Sequence, residues 1–324
     1  VLFRSFTSYG QVLRFCQPGG EGDLRRLGVQ PGEVVAYLAP PGGSVTAALA
    51  FLSIACQACA APLDPRLSEV DTWMALEQIR PQHLVLFIGM AAPAAEAAFE
   101  RYAQTGQAQL HRAEPTRRES PGLFQYCNPR PDFEHQPALV NGAEAICLLL
   151  RTSGTTGVAK LIPLGQRSVI WNGVILAEGL GLTCQDVTYS VMPLYHIGGI
   201  SASVVASLAV GAAITGDGAY TPETMVEALS HSNPAPTWYS AVPSIHNATL
   251  RYLYHTPTLQ FDQDGVWRGH QLRLIRSGAA ALQESDRQLL EKTFGCPVVA
   301  TYSMSEQMPI CQPPRTGEEW QQTP

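Results

Sequence analysis

Charge is scarce in this 324-residue chain: Asp, Glu, Lys and Arg together make up only 15% of it, and the net charge is −6. Basic residues never run longer than the pairs Arg25–Arg26 and Arg117–Arg118. The basic stripe that a nucleic-acid partner needs is therefore missing. A disulfide framework is missing too. The eight cysteines, Cys16, Cys56, Cys59, Cys127, Cys147, Cys184, Cys296 and Cys311, follow no paired spacing, and a chain this long needs no bridges. This usage fits the cytoplasm or another reducing interior compartment. Cys56 and Cys59 form a lone C-x-x-C inside an apolar, helix-like run, which reads as two buried thiols before it reads as a metal or redox site. No run is apolar enough to span a membrane: Thr46 to Leu63 is alanine-rich, broken by Ser53 and Gln57, and reads as a buried helix. No signal-peptide pattern follows Val1, and with no initiating methionine the targeting stays unassigned. Internal repeats are absent. What the chain has in quantity is hydrophobic residue, 45% of the total, enough to bury a sizeable core in one large domain or two lobes.

The order of elements gives the fold class. Residues 27–38 read as a turn, through Pro31-Gly32, and then a buried strand, and a helix follows from about Ser44 to Cys59. Ala61-Pro-Leu-Asp-Pro makes a strand-to-loop exit. A polar-faced helix covers Ser68 to Ile79, and His83 to Ile88 is another strand. Strand, helix, strand in this rhythm predicts an α/β fold with doubly wound, mostly parallel sheets. Residues 91–143, rich in proline, alanine, glutamine and charge, read as a surface excursion closing a first lobe over 1–145. A second βα series opens at Ile146 and defines a lobe over 146–324.

The densest chemistry lies in residues 150–160. Leu148 to Leu150 lead in as a buried strand. Thr152, Ser153, Thr155 and Thr156 then supply hydroxyls, Gly154 and Gly157 let backbone N–H groups approach an anion, and Lys160 adds a positive charge. The combination reads as a triphosphate cradle. It is not a P-loop, since two residues rather than four separate the glycines and Lys160 follows an alanine. Nor is it the G-x-G-x-x-G dinucleotide fingerprint. Taken alone, such a stretch also fits a plain turn.

Three further segments share the pattern of a buried strand leaving into a small or polar loop. Asp186 to Ile200 places Tyr195 and His196 before two glycines; a lone histidine after an aromatic also fits a structural role. Thr237 to His246 and Leu272 to Leu282 end in small residues, among them Gly278, Ala279 and Ala280. Small residues let a flat ring slide against the backbone, and a tight packing turn is the plain alternative. Ala300 to Glu306 carries Tyr302, Ser305 and Glu306, where a helix-capping box is an equally simple reading.

Taken in order, these strings resemble the signatures of the adenylate-forming superfamily, to which acyl-CoA synthetases and peptide-synthetase adenylation domains belong. Thr-Ser-Gly-Thr-Thr-Gly-Val-Ala-Lys is similar to its phosphate loop, with Ala159 and Leu161 where the family has proline and glycine. Met-Pro-Leu-Tyr-His resembles the acyl-CoA synthetase form of a motif whose histidine borders the acyl pocket and thiol tunnel. No acid follows His196 until Asp217, which disfavours an amino-acid substrate. Trp-Tyr-Ser-Ala-Val-Pro-Ser-Ile-His looks most like the oxalate-CoA ligase-like branch and points to a short acid. Ala-Thr-Tyr-Ser-Met-Ser-Glu is similar to the family's Gly-Tyr-Gly-Met-Thr-Glu.

The resemblance implies roles residue by residue. Lys160 and the loop Thr152, Ser153, Gly154, Thr155, Thr156 and Gly157 would hold the β- and γ-phosphates of ATP. Gly278, Ala279 and Ala280 would lie along the adenine and the carboxylate, and Tyr302 would stack on adenine. Ser305 would touch the α-phosphate and Glu306 would hold Mg²⁺. Lys160, His196 and Glu306 are the implied catalytic set. The implied reaction joins a small carboxylic acid to ATP as an acyl-adenylate and passes the acyl group to coenzyme A. Two alternatives stay open: a domain that loads a carrier protein, and a non-catalytic nucleotide- or acyl-binding relic. The match covers only the family's large N-terminal domain. A ribose-gripping Thr-Gly-Asp, a hinge and a C-terminal domain with a catalytic lysine are expected beyond Pro324, so the chain reads as a fragment whose second lobe is truncated.

Overall fold

The computed structural model describes residues 7–116, 122–130, 137–152, 159–216 and 218–312. It divides into two compact units, Val1–Val169 and Ile170–Pro324.

The first unit is built on a seven-stranded sheet. Its centre is β1 (Val34–Leu38), a β-branched and aromatic run that pairs in parallel with β2 (Cys59–Leu63) and β3 (His83–Phe87). Outward lie β4 (Gln109–Pro115) and β5 (Phe124–Tyr126) on one side, β6 (Ile146–Thr152) and β7 (Lys160–Gly165) on the other, in the order β5-β4-β3-β1-β2-β6-β7. Only the edge strands β5 and β7 run antiparallel to their neighbours. The short helix α1 (Tyr9–Cys16) precedes β1 and is closed by a capping box between Ser8 and Gln11. Helices α2 (Val45–Ala55) and α3 (Glu69–Ile79) start where Ser44 and Ser68 accept from the backbone N–H three residues on. Leu38, Leu76, Leu84, Leu86, Phe99 and Tyr102 belong to one of the unit's cores.

Three details depart from the sequence expectation. The stretch expected as a surface excursion contains α4 (Pro93–Gln104), β4 and β5. Ala95, Ala98, Phe99 and Tyr102 recur at helical spacing and are fully buried, but alanine and charge on the other face hide the stripe. Residues 146–152, expected to open the second lobe, pair through Leu148 with Ala60 of β2 in the first sheet. The C-x-x-C is not two buried thiols: α2 stops at Ala55, so Cys56 sits exposed on the turn and Cys59 is buried as the first residue of β2.

The second unit has a fully parallel five-stranded sheet in the order β12-β11-β10-β8-β9: β12 (Val298–Ala300), β11 (Leu274–Ser277), β10 (Trp238–Ala241), β8 (Val187–Tyr189) and β9 (Ala213–Thr215). Both faces are covered, as parallel sheets require. Helices α7 (Pro222–His231), α8 (Pro243–His255) and α9 (Glu284–Phe294) bury Met225, Leu229, Leu250, Leu253, Leu290 and Phe294 against Tyr239 and Ile275. On the opposite side β10 packs against a π-helix, Gly198–Val205, that runs into α6 (Ala206–Ala209). Thr188 and Ser207 join the two layers through their hydroxyls at 2.6 Å. Helix α5 (Gln166–Gly179) precedes β8, and a two-stranded hairpin of β13 (Tyr302–Met304) and β14 (Gln307–Cys311) follows β12. The amino end of the sheet is pinned by Asp186. Its buried carboxylate accepts from Arg273 Nε and Nη2, each at 2.7 Å, from Thr237 Oγ1 at 2.7 Å and from the Thr183 backbone N–H at 2.8 Å. Burial pushes this carboxyl up, but the bonds from Arg273, Thr237 and Thr183 outweigh it and hold the group below the usual carboxylate range.

Candidate active site

In the first unit the relevant residues stand at the ends of an antiparallel ladder. Thr152, the last residue of β6, is opposite Lys160, the first of β7, and Lys160 is exposed. Gln78 of α3 fastens both strands: its Nε2 donates to the Ala159 carbonyl at 2.7 Å and its Oε1 accepts from Arg151 Nε at 3.3 Å. Ser153, Gly154, Thr155, Thr156 and Gly157 lie outside the described residues. Nothing in the local sequence marks Gln78 as a support, because it acts across 81 positions of chain.

In the second unit the other expected residues follow the carboxyl ends of three parallel strands, His196 after β8, Gly278 to Ala280 after β11 and Tyr302 to Glu306 after β12, the ends at which open α/β sheets bind ligands. Gly278 follows β11 and donates its N–H to the Ala241 carbonyl at the end of β10, 3.1 Å away. Ala279 has φ +67°, a left-handed conformation that costs a residue with a Cβ on the order of 1 kcal/mol or more and is concentrated at functional sites. Ser277 accepts at its carbonyl from the Thr301 N–H at 3.0 Å and from Thr301 Oγ1 at 3.3 Å. This binds the Gly278–Ala280 loop to the residue immediately before Tyr302. Tyr302 opens β13 and is 65% exposed. Ser305 and Glu306 form the turn that joins β13 to β14, and the Glu306 carboxylate is exposed.

His196 stands on the loop after Pro193, exposed, with its ring 4.6 Å from that of buried Tyr195. Its carbonyl accepts from the Ile200 N–H at 3.2 Å, which leads straight into the π-helix. Such wide turns are rare and are found disproportionately at functional sites. Its close seating is set at Gly199: a Cβ there would stand 2.4 Å from the Pro193 carbonyl oxygen, so only glycine lets the helix lie against the Met192–Leu194 backbone. The Gly198–Gly199 pair was the available signal. In α8, His246 is fully buried, bonded to Tyr239 Oη at 3.1 Å, and burial pushes it down to about 4, so it is neutral at physiological pH.

The sequence profile of the AMP-binding enzyme family matches residues 5–324. The chain belongs to that family. An oxalate–CoA ligase from Arabidopsis thaliana is 31% identical over 283 residues, covering 86% of this chain and 52% of the ligase. The ATP-bound MatB of Rhodopseudomonas palustris has the same fold, with a TM-score of 0.74 at 19% identity over 96% of this chain and 57% of that one. The N-terminal domain of FACL13 from Mycobacterium tuberculosis gives 0.70 at 18% identity, over 91% and 68%. This AMP-binding chain thus spans about half the length of the curated relative it matches.

One residue of the region carries chemistry that the sequence reading passed over. Arg276, inside the apolar run before Gly278, is 2% exposed, and burial pushes it down to about 10. Its signal was a single charge in the middle of a strand.

Proposed function

We propose that this chain is the nucleotide- and acyl-binding part of an AMP-forming acid–CoA ligase. The observation that carries the reading is the loop after β11. A left-handed non-glycine residue, Ala279, is held there by bonds to the end of β10 and to the residue before Tyr302. That is backbone strain maintained at the carboxyl end of a parallel sheet, in the segment expected to meet adenine and carboxylate.

Acid and ATP are both anions, so the main obstacle is repulsion. In the adenylation step a carboxylate oxygen bonds to the α-phosphorus, the bond between that phosphorus and the β-phosphate oxygen breaks, and pyrophosphate leaves. Lys160, with the hydroxyls of Thr152, Ser153, Thr155 and Thr156, would neutralise charge on the departing phosphates. Ser305 would donate to the α-phosphate, and Gly278 to Ala280 would flank the adenine and the carboxylate. A lone carboxylate suits Mg²⁺, which keeps most of its waters and shares phosphate oxygens, so Glu306 is a fitting ligand. Bound there, Mg²⁺ would offset the charge on pyrophosphate. In the second step the coenzyme A thiol gives up its proton to solvent, its sulfur bonds to the acyl carbon, and the bond from that carbon to the phosphate oxygen breaks, so that AMP leaves with both electrons. His196 would border the path of that thiol.

The test is acid-dependent ATP–pyrophosphate exchange in the complete protein. Glu306→Gln and Lys160→Ala should each slow exchange by about 10²–10³. Near-normal exchange in either variant would remove that residue from the mechanism. Binding of ATP without exchange for any acid would favour the non-catalytic relic.

A further inference from the structure

The sheet face under the π-helix carries polar groups where packing alone calls for apolar ones. Register sets Ser240 of β10 opposite Arg276 of β11, and Tyr239 opposite Tyr189, so that Ser190, Ser240 and Arg276 lie in one row across three strands. Arg276 Nη1 donates to Ser240 Oγ at 2.8 Å. Its Nε and Nη2 have no partner among the described residues. The Oγ atoms of Ser190, Ser201, Ser203 and Ser277 and the indole Nε1 of Trp238 are also buried and unpartnered.

Water can satisfy a hydroxyl or an indole at small cost. It does not compensate a buried charge, which needs an opposite one. The chain's other deeply buried charges have theirs: Asp23 with Arg25, Asp186 with Arg273. Arg276 is the exception among the described residues, and with its pKa still at about 10 it stays cationic at neutral pH. Its free edge is the informative one. Nε and Nη2 form the side-on fork that takes a carboxylate through two parallel hydrogen bonds. The guanidinium also lies next to the candidate site: a Cβ built on Gly278 would stand 3.0 Å from Nη1 and 3.1 Å from Nη2.

We propose that Arg276 is a specificity residue, and that the acid activated here carries a second oxyanion group, a carboxylate in the simplest case, bound by the Nε–Nη2 edge. The inference rests on the ligase reading given above. The reacting carboxylate has to meet ATP beside Ala279 and Ala280, which are exposed, whereas Arg276 is buried behind Gly278. The group it holds is therefore the far end of the acid. Ser240 positions the guanidinium. A short diacid satisfies the charge and the free Nε–Nη2 edge; an unbranched fatty acid satisfies neither.

The experiment compares acids of equal chain length, malonate against propionate and succinate against butyrate, by titration calorimetry on the complete protein. At least one diacid should bind on the order of 10²-fold tighter than its monoacid partner. Arg276→Met, which keeps the volume and removes the charge, should abolish that difference while leaving the unliganded protein as thermostable as the wild type or more so, because an uncompensated buried charge is gone. Should that variant fail to fold, Arg276→Lys keeps the charge without the fork and should weaken diacid binding by about tenfold. Equal binding of diacid and monoacid by the wild type, or discrimination retained in the variants, overturns the proposal. Pyrophosphate exchange separates the two readings. Exchange with propionate but not with malonate or succinate leaves the ligase and removes the role of Arg276. Diacid binding that depends on Arg276, with no exchange for any acid, does the reverse.

Discussion

Two adjacent glycines at the start of the π-helix should respond in opposite ways to the same added methyl group. At Gly199 a Cβ would lie 2.4 Å from the Pro193 carbonyl oxygen, 2.9 Å from that of Met192 and 3.0 Å from Leu194 Cδ2. The first two atoms are backbone, so no rotamer change relieves the clash. Roughly 1 Å of separation has to be made by moving the Met192–Leu194 segment or the helix, an overpacking cost of about 3 kcal/mol. At about 2–4 °C per kcal/mol for a unit of this size, Gly199→Ala should lower the melting temperature by about 6–12 °C. At Gly198 the nearest atom is Met192 Cε, 3.9 Å away, an ordinary contact with the end of a flexible side chain. There the methyl only restricts the unfolded chain and improves helix propensity, so Gly198→Ala should be neutral or raise stability by about 0.5–1 kcal/mol. Circular dichroism melts of the two variants decide the matter. The segment that must move carries His196 two residues further on, so Gly199→Ala should also slow thioester formation while Gly198→Ala should not. Similar melting temperatures for the two variants would refute the packing argument and with it the account of how this helix is seated.

Two predictions concern charge. Arg273→Ala should cost about 2–3 kcal/mol in urea unfolding, less than the roughly 3–5 kcal/mol for breaking a fully buried pair, because Arg273 is 44% exposed and Thr183 and Thr237 still bond Asp186; no loss would mean that the threonines alone support the carboxylate. Burial pushes His111, His246 and His270 down to about 4 from an ordinary 6.5, so the unfolded chain binds more protons between those values and stability rises with pH across that window. It should be complete above pH 6.5, fall as pH drops towards 4 and level off below, with His246 alone contributing up to about 3 kcal/mol. A denaturation midpoint that stays flat from pH 6.5 to 4, or a His246→Gln variant with an unchanged slope, would contradict this.

What could be read from the sequence and what could not divides along a physical line. The alternation from β1 to β3 was legible because each element is local: Val34 to Leu38 can only be a buried strand, and Ser44 and Ser68 cap helices by bonds that reach three residues. The candidate loops were legible for a related reason, since glycine and hydroxyl residues announce themselves wherever a buried strand ends. Partners chosen across long stretches of chain were not. Leu148 gives no sign that it will pair with Ala60, nor Gln78 that it will hold Ala159. Arg276 shows most clearly why. In a strand, alternate residues face opposite sides, and for an exposed sheet that would send Arg276 into water and Ile275 into the core. Here both sides are covered. Ile275 meets α7, α8 and α9, while Arg276 lies on the opposite face, where the neighbouring strand β10 packs against a π-helix seated by Gly199. The face that buries the charge is therefore covered by a helix some 70 residues earlier in the chain, at Gly198–Val205, whose seat on the Met192–Leu194 backbone requires Gly199. A charge buried by so specific an arrangement, with its carboxylate-binding edge free, is costly to the folded chain on its own, and binding an anion is what offsets that cost.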